Sequence, residues 1–425
     1  MSSANVIYLS YDRFPSSKGA AVHIDAFVRA LSNAFGEIEL VTVPSNTIGP
    51  PNTLGGEVGG KRNGISSLQS NRYCENVLHT PLPALGGNLV ERVMSFRNNL
   101  QRWWGDRKPQ VVHVRSIFEG YWIARNKQQL CEQFVYEVNG LPSIELKYHY
   151  PHVADDDELL RKLQFQETAC LKAADLIVTV SQVNAECLIR RGADPERIQV
   201  IPNGVDPNLF SYQRPSDWGE REIRLLYSGT LTAWQGVFQA LEALALYRRD
   251  FPARLILAGE ARNRQRKELD RQMQKLGVTD HVEIRGAVSQ TELAALHHQC
   301  DVVLAPLTAN DRNQVQGCCP LKVLEAMASG TPLIASDLPV VEALARSGID
   351  ALLVRPGSPK AIKDALLRMR ADPHLAPRLS ASGRRRIKQQ FTWTHAQQAL
   401  VSAYEEKLGI SSLKNRDKVS ASRSE

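Results

Sequence analysis

The 425-residue sequence predicts an α/β protein made of two doubly wound domains. Short apolar runs rich in β-branched residues alternate with amphipathic stretches along most of the chain, which is typical of parallel sheets covered by helices. The alternation forms two arrays, and the turn-rich stretch 202–207 separates them. The chain is also too long for one ordinary hydrophobic core.

The first array begins with Val6-Ile7-Tyr8-Leu9, a run that predicts a buried strand. The following loop ends at Lys18-Gly19, and apolar residues then recur at helical spacing from Ile24 to Leu31. The Gly-, Pro-, Asn- and Ser-rich stretch 44–61 predicts a long surface loop. Further strands of this array are predicted at 40–43, 111–114, 134–136 and 176–180.

The second array predicts strands at 225–227, 254–257, 281–284, 302–304, 333–335 and 352–354. We therefore predict an N-terminal domain over 1–208, a second domain over 209–390, a C-terminal helix over 391–410 and a disordered tail over 411–425. Open α/β sheets bind ligands at the carboxyl ends of their strands. We expect the two domains to face each other across a cleft lined by those ends.

Composition limits the class of partner. The net charge of +7 is compatible with nucleic acid, phospholipid or a phosphorylated substrate, but no nucleic-acid-binding motif is present, so we expect no nucleic-acid partner. No apolar run is long enough to span a membrane, and the N-terminus lacks the pattern of a secretory signal. The seven cysteines have no zinc-ligand spacing and favour a reducing compartment. We expect a cytoplasmic protein.

The strongest local motif runs from Pro320 to Pro332. Pro320 suits the start of a short helix, and Gly330 suits its left-handed end. Lys322 and Glu325 lie three residues apart, so they share a helix face near its N-terminus. A cation there can bind a diphosphate, and a carboxylate one turn later can accept hydrogen bonds from ribose hydroxyls. The alternative is an ordinary Lys–Glu pair on a helix surface.

Six short motifs occur in one order along the chain: 173–181, 200–206, 227–231, 258–259, 286–288 and 324–330. With these motifs the sequence, from about Val6 to Tyr404, resembles the retaining glycosyltransferases of family four, group one, which have the two-domain GT-B fold of Rossmann-like domains. The resemblance implies a nucleotide-sugar donor in the second domain, an acceptor in the first, and a C-terminal helix that returns to the first domain. It also implies that Glu325 binds the donor ribose.

The sequence departs from this family at three places. Gly317 stands where the family has a first glutamate, Thr230 and Gln235 stand where it often has an arginine and a lysine, and Asn139 replaces a histidine. We expect Lys322 to supply the missing positive charge. The predicted donor-binding residues are Gly229, Thr230, Gln235, Gly259, Ala287, Val288, Gly317, Cys318, Leu321, Lys322 and Glu325, and the predicted catalytic residues are Gly19, Asn139 and Lys322.

Four further features have two interpretations each. Gly19 lets the backbone approach a phosphate or sugar closely, or it merely ends a surface loop. His23 either faces the acceptor or is an ordinary residue on the face of its helix, and His113 either lines the cleft or belongs to the core. The run Asp155–Asp157 begins a helix, or it binds a metal, which the resemblance does not imply. The basic and aromatic stretch 92–108, with Trp103 and Trp104, packs onto the first domain or contacts an anionic membrane.

The resemblance thus implies a metal-independent, retaining hexosyl-type transferase without a bound cofactor. We expect a UDP- or GDP-linked donor and a glycan, lipid-linked or small-molecule acceptor, with a possible contact to the inner face of the membrane. Two alternatives remain open: a nucleotide-sugar 2-epimerase, which needs acid–base carboxylates near the sugar, and a catalytically inactive nucleotide-sugar-binding homologue.

Overall fold

The computed structural model describes residues 6–45, 70–413 and 415. The chain divides into two compact units, the first comprising Met1–Val180, Ala185–Ile201 and Gln397–Glu425, and the second comprising Ser181–Asn184 and Pro202–Ala396. Most of the predicted loop over 44–61 and of the predicted tail over 411–425 lies outside the described residues.

The first unit contains an eight-stranded sheet whose strands run parallel except for the antiparallel edge pair β3–β4. The strand order is β3-β4-β2-β1-β5-β6-β7-β8. Residues Val6–Leu9 are fully buried at the centre of this sheet, as the continuous apolar run predicts. The strands are β1 Val6–Arg13, β2 Ile38–Val43, β3 Asn71–Cys74, β4 Val77–Pro81, β5 Val111–Val114, β6 Gln133–Val138, β7 Leu176–Thr179 and β8 Ile198–Val200.

Helices connect these strands. Several begin with a side-chain cap, such as Ser116, whose hydroxyl accepts from the backbone N–H of Phe118. They are α1 Gly19–Phe35, α2 Leu89–Trp104, α3 Ile117–Arg125, α4 Lys127–Leu130, α5 Pro142–His149, α6 Asp157–Ala173 and α7 Gln182–Arg190, of which residues 182–184 belong to the second unit.

The second unit contains a six-stranded, wholly parallel sheet in the order β11-β10-β9-β12-β13-β14. The apolar residues of β9 and β12 are buried, as expected for strands covered on both faces. The strands are β9 Ile223–Ser228, β10 Ala253–Ala258, β11 Val282–Arg285, β12 Val302–Ala305, β13 Leu333–Ser336 and β14 Leu352–Val354. The helices are α8 Val237–Tyr247, α9 Asn263–Leu276, α10 Gln290–Gln299, α11 Leu321–Ser329, α12 Pro339–Glu342, α13 Pro359–Ala371 and α14 Leu375–Gln390.

The last helix, α15, spans Trp393–Leu408, and from Gln397 onward it belongs to the first unit. The Gln397 side chain donates to the carbonyl of Ala26 in α1 at 2.9 Å, and Tyr404 is fully buried. The fold is therefore two α/β units with a C-terminal helix that returns to the first, as predicted.

Candidate functional site

Two glycines follow neighbouring strands of the second sheet, at the carboxyl ends of β9 and β10. Gly229 has φ +124° and Gly259 has φ +158°, which favours glycine at both positions. A Cβ on Gly259 would lie 1.8 Å from the carbonyl oxygen of Gly229, so no side chain fits there. The N–H of Gly259 donates to the carbonyl oxygens of Arg285 and Gly286, each at 3.1 Å, and so links the end of β10 to the loop after β11.

Lys322, the second residue of α11, extends to the same place. Its Nζ lies 4.4 Å from the ring centroid of Tyr227, and a Cβ on Gly229 would lie 3.0 Å from this Nζ. The side chain is buried, and Nζ has no hydrogen-bond partner among the described residues. Burial lowers the pKa of Lys322 to about 8; Glu325 opposes the shift, and Arg312 adds to it. The site therefore holds a buried cation that contacts the Tyr227 ring but has no hydrogen-bond partner among the described residues.

Glu325 lies one turn later on α11 and is 6% exposed. Burial raises its pKa to about 7, and the positive charge of Lys322 opposes this shift. The interpretation of Lys322 and Glu325 as an exposed surface pair is wrong, because both side chains are buried. The N-cap of α11 is Pro320, one position earlier than the first helical residue predicted for it. Leu321 is the first helical residue and is half-buried.

Two further hydroxyl groups, one on the last residue of β9 and one in the loop that follows it, are buried. Ser228 and Thr232 are each 4% exposed, and Ser228 Oγ and Thr232 Oγ1 have no hydrogen-bond partner among the described residues. Thr230 is exposed and Gln235 is half-buried; the carbonyl oxygens of these two residues accept from Tyr227 Oη at 3.0 and 3.3 Å. Buried polar groups without hydrogen-bond partners destabilise the protein unless a ligand supplies those partners.

The remaining predicted donor residues lie on neighbouring loops of the same unit. Cys318 is buried, with Sγ 3.6 Å from Asn313 Oδ1. Gly317 has φ +88°, and a Cβ there would lie 2.5 Å from the backbone nitrogen of Asn184, which also belongs to the second unit. A glutamate therefore cannot replace Gly317 without a shift of the backbone. Ala287 and Val288 follow β11, exposed and half-buried respectively.

Glu137, near the end of β6, is the centre of a buried polar network in the first unit. It is fully buried, and although burial alone raises the pKa of a carboxyl, His23 and Arg115 hold the pKa of Glu137 well below its usual range. Its partners are Tyr8 Oη at 2.7 Å, His113 Nε2 at 3.1 Å, Arg115 Nε at 2.8 Å, His23 Nε2 at 3.0 Å and Asn139 Nδ2.

Asn139, His23 and His113, which the sequence analysis singled out, all belong to this network. Asn139 donates its amide to Glu137, which leaves its buried Oδ1 without a hydrogen-bond partner among the described residues. His23 and His113 are buried members of the network, so His23 is not an exposed helix-face residue. Gly19 begins α1 and is half-buried.

Sequence reasoning assigned no role to Glu137, Arg115 or Asp12, although Arg115 bridges Glu137 and Asp12. The available signal was a charged residue, Glu137, between the hydrophobic residues Tyr136 and Val138 of β6.

The structure also decides between the interpretations of two sequence features. Trp103 and Trp104 are buried in the core of the first unit, so the packing interpretation of this stretch is confirmed. Asp156 caps α6 by accepting from the N–H of Leu159 at 2.9 Å, which confirms that the aspartate run begins a helix. Within residues 6–45, 70–413 and 415, no helix has the length and apolar character needed to cross a membrane.

Two family models match consecutive parts of the chain. The model described as Glycosyltransferase Family 4 matches residues 17–209, and the model described as Glycosyl transferases group 1 matches residues 211–386. Together with the two parallel α/β units, these matches define the class of protein. The chain belongs to the group 1 glycosyltransferases, as the sequence motifs predict.

Relatives and solved structures agree with this class. A D-inositol 3-phosphate glycosyltransferase from Xylanimonas cellulosilytica is 26% identical over 413 residues, which cover 91% of each chain. A glycogen synthase from Mycobacterium tuberculosis is 28% identical over 303 residues, covering 70% of this chain and 69% of the relative. Sucrose-phosphate synthase from Thermosynechococcus elongatus superimposes with a TM-score of 0.75 at 20% identity, covering 95% of this chain and 99% of that structure. The fold is GT-B, and the chain is a glycosyltransferase; nothing in these relatives supports the epimerase alternative.

Proposed function

We propose that this glycosyltransferase moves a hexosyl group from a nucleoside diphosphate sugar and that its second unit binds the donor. The observation that carries the proposal is the buried Nζ of Lys322, which has no hydrogen-bond partner among the described residues and lies against Gly229 at the carboxyl end of β9. A buried cation is costly unless an anion accompanies it. A diphosphate supplies that anion.

In this proposal each residue of the donor site has its own role. Lys322 binds the diphosphate, and its charge matters most as the bond between the sugar and the diphosphate breaks, because negative charge then accumulates on the leaving oxygen. Glu325 accepts hydrogen bonds from the ribose hydroxyls, as the family resemblance implies. Gly229 and Gly259 let the backbone approach the ligand closely. The other proposed donor residues are Thr230, Gln235, Ala287, Val288, Gly317, Cys318 and Leu321.

The nucleotide is proposed as UDP or GDP. Support comes from proteins of the same fold: the Anabaena protein HepE has been solved in complex with UDP-glucose, with a TM-score of 0.66 at 16% identity, covering 94% of this chain and 99% of that structure. Arabidopsis starch synthase IV has been solved with ADP and acarbose. ADP therefore belongs among the nucleotides to be tested.

We further propose that transfer proceeds with retention at the anomeric carbon, without a metal or another cofactor. The acceptor, a glycan, a lipid-linked sugar or a small molecule, is proposed to bind the first unit near Asn139 and Gly19. Peripheral membrane contact also stays a proposal. Because Trp103 and Trp104 are buried, this contact would need other side chains, such as the exposed Val90 and Met94 at the start of α2.

The test is a set of binding and turnover measurements on the full chain. UDP-glucose, GDP-mannose and ADP-glucose are compared with the corresponding nucleosides by thermal shift and calorimetry, because a ligand stabilises the protein by an amount set by its affinity. We expect one nucleotide sugar to bind and to be hydrolysed slowly without acceptor. Binding with neither hydrolysis nor transfer to any acceptor favours the inactive homologue. No binding of any of the three contradicts the proposal.

A further inference from the structure

The segment after β12 is bound closely to the loop after β9. Thr308 Oγ1 donates to the carbonyl oxygen of Trp234 at 2.7 Å, and Asn310 Nδ2 donates to the same oxygen at 3.2 Å. Gly236 lies so close that a Cβ there would be 1.7 Å from the carbonyl oxygen of Pro306. These contacts fix the position of the residues that follow, which form a π-helical turn over Arg312–Gln316. Such turns are frequent at functional sites.

Arg312 begins this turn and lies over Trp234. Its guanidinium carbon is 5.2 Å from the tryptophan ring, and its Nη1 donates to Asn313 Oδ1 at 3.1 Å. Asn313 is fully buried, and its Nδ2 donates to the carbonyl of Thr308 at 2.8 Å. The guanidinium is therefore held in one place by the Trp234 ring, from the loop after β9, and by the Asn313 amide, from the turn after β12.

The positions of these loops put a second positive charge near Lys322. Asn313 Oδ1 contacts both Arg312 and Cys318, and Arg312 and Cys318 both act electrostatically on Lys322. Two like charges near each other are unfavourable in a buried setting unless an anion joins them. In contrast, the loop Gly229–Gly236, where strand β9 ends, contains no lysine or arginine.

We propose that Arg312 is a second diphosphate-binding residue of the donor site, acting together with Lys322. This inference rests on the proposed function, since it assigns another residue to the same ligand. The chemistry is specific: a diphosphate carries two negative charges on adjacent phosphoryl groups, and a lysine with an arginine provides two cations. A guanidinium also offers paired N–H donors that match phosphate oxygens. Arg312 should therefore favour a nucleoside diphosphate over the corresponding monophosphate.

Arg312→Gln and Arg312→Lys test this role, with Arg370→Gln as the matched control. Arg370 also lies over a tryptophan of the second unit, with its guanidinium carbon 5.9 Å from the Trp218 ring, and it donates to the carbonyl of Gly219. Trp218 and Gly219 precede β9, so this arginine lies away from the carboxyl end of that strand. The probes are the nucleotide sugar that binds the wild type best and its nucleoside monophosphate. We expect Arg312→Gln to weaken nucleotide-sugar binding about tenfold and monophosphate binding less, whereas Arg312→Lys retains part of the affinity.

The pH profile provides a readout that a merely structural role would not change. Glu325, Arg312 and Cys318 are the charged or titratable groups that act on Lys322, and Arg312 lowers its pKa. Removing Arg312 should therefore move the alkaline loss of nucleotide-sugar binding to higher pH. Equal affinities for wild type, Arg312→Gln and Arg370→Gln would overturn the inference, as would an equal loss for both probes. If the wild type itself binds no nucleotide sugar, the proposed function fails instead.

Discussion

Replacing Lys322 with methionine should stabilise the ligand-free protein while it removes donor binding. The lysine is 8% exposed, and its pKa is lowered from 10.5 to about 8, mainly by burial. A pKa difference of one unit corresponds to about 1.4 kcal/mol, so the protonated lysine costs the native state about 3 kcal/mol. Methionine keeps the length of the side chain without the charge. We expect the free energy of unfolding to rise by about 1–3 kcal/mol at pH 7.

The pH dependence of this gain has a defined sign. Because the native pKa of Lys322 lies below the unfolded one, the cost of the charge is complete below pH 8, shrinks between pH 8 and 10.5, and vanishes above that range. The gain of Lys322→Met should thus be about two-fifths as large at pH 9.5 as at pH 7.

The assay is urea denaturation of ligand-free wild type, Lys322→Met and the control Lys267→Met, an exposed lysine in α9, together with calorimetric titration of the nucleotide sugar. Lys267→Met should leave stability and binding unchanged within about 0.5 kcal/mol. Lower stability of ligand-free Lys322→Met at pH 7 would refute the reasoning, because it would show that the lysine has a stabilising partner. Unchanged donor binding in this variant would refute the site.

Three further predictions concern the same unit. Glu325→Gln should lower donor affinity about tenfold, and it should abolish the fall in wild-type affinity that we expect below pH 7 as Glu325 becomes protonated, measured by calorimetry across pH 5.5–8. EDTA should leave donor turnover unchanged; a loss restored by magnesium or manganese would contradict metal independence. Gly317→Ala should destabilise the protein more than Gly357→Ala in urea denaturation, because both residues have positive φ but only Gly317 has backbone within 2.5 Å of the added Cβ.

The sequence predicted the elements that have strong local patterns. The buried parallel strands follow from continuous apolar runs, and Lys322 and Glu325 share one helix face because they are three residues apart between a proline and a glycine. The edge strand β3 escaped prediction because Asn71–Cys74 is short and largely polar, and its position depends on pairing with β4. Periodicity carries no information about such a strand.

The parts of the site that the sequence did not reveal depend on contacts between distant segments. Arg312 lies in an irregular turn without periodic pattern, and its neighbour Trp234 comes from the loop after another strand. Glu137 gathers groups from β1, α1 and β5, and no local rule pairs these segments. The burial of Trp103 and Trp104 was likewise a question of tertiary packing, since an amphipathic stretch fits both a core and a membrane surface.

The return of α15 to the first unit has a consequence for the order of events during synthesis. Tyr404 Oη lies 2.7 Å from His113 Nδ1 and its ring lies 5.4 Å from that of Phe35, so the core around β5 and α1 includes a residue near the end of the chain. Domains generally fold from the N-terminus as the ribosome releases them. Here the first unit must wait for α15 to emerge, whereas the second unit, contiguous from Pro202 to Ala396 apart from one short segment, is complete earlier in synthesis. Released chains truncated after Ala396 should therefore carry a folded second unit and an incomplete first unit.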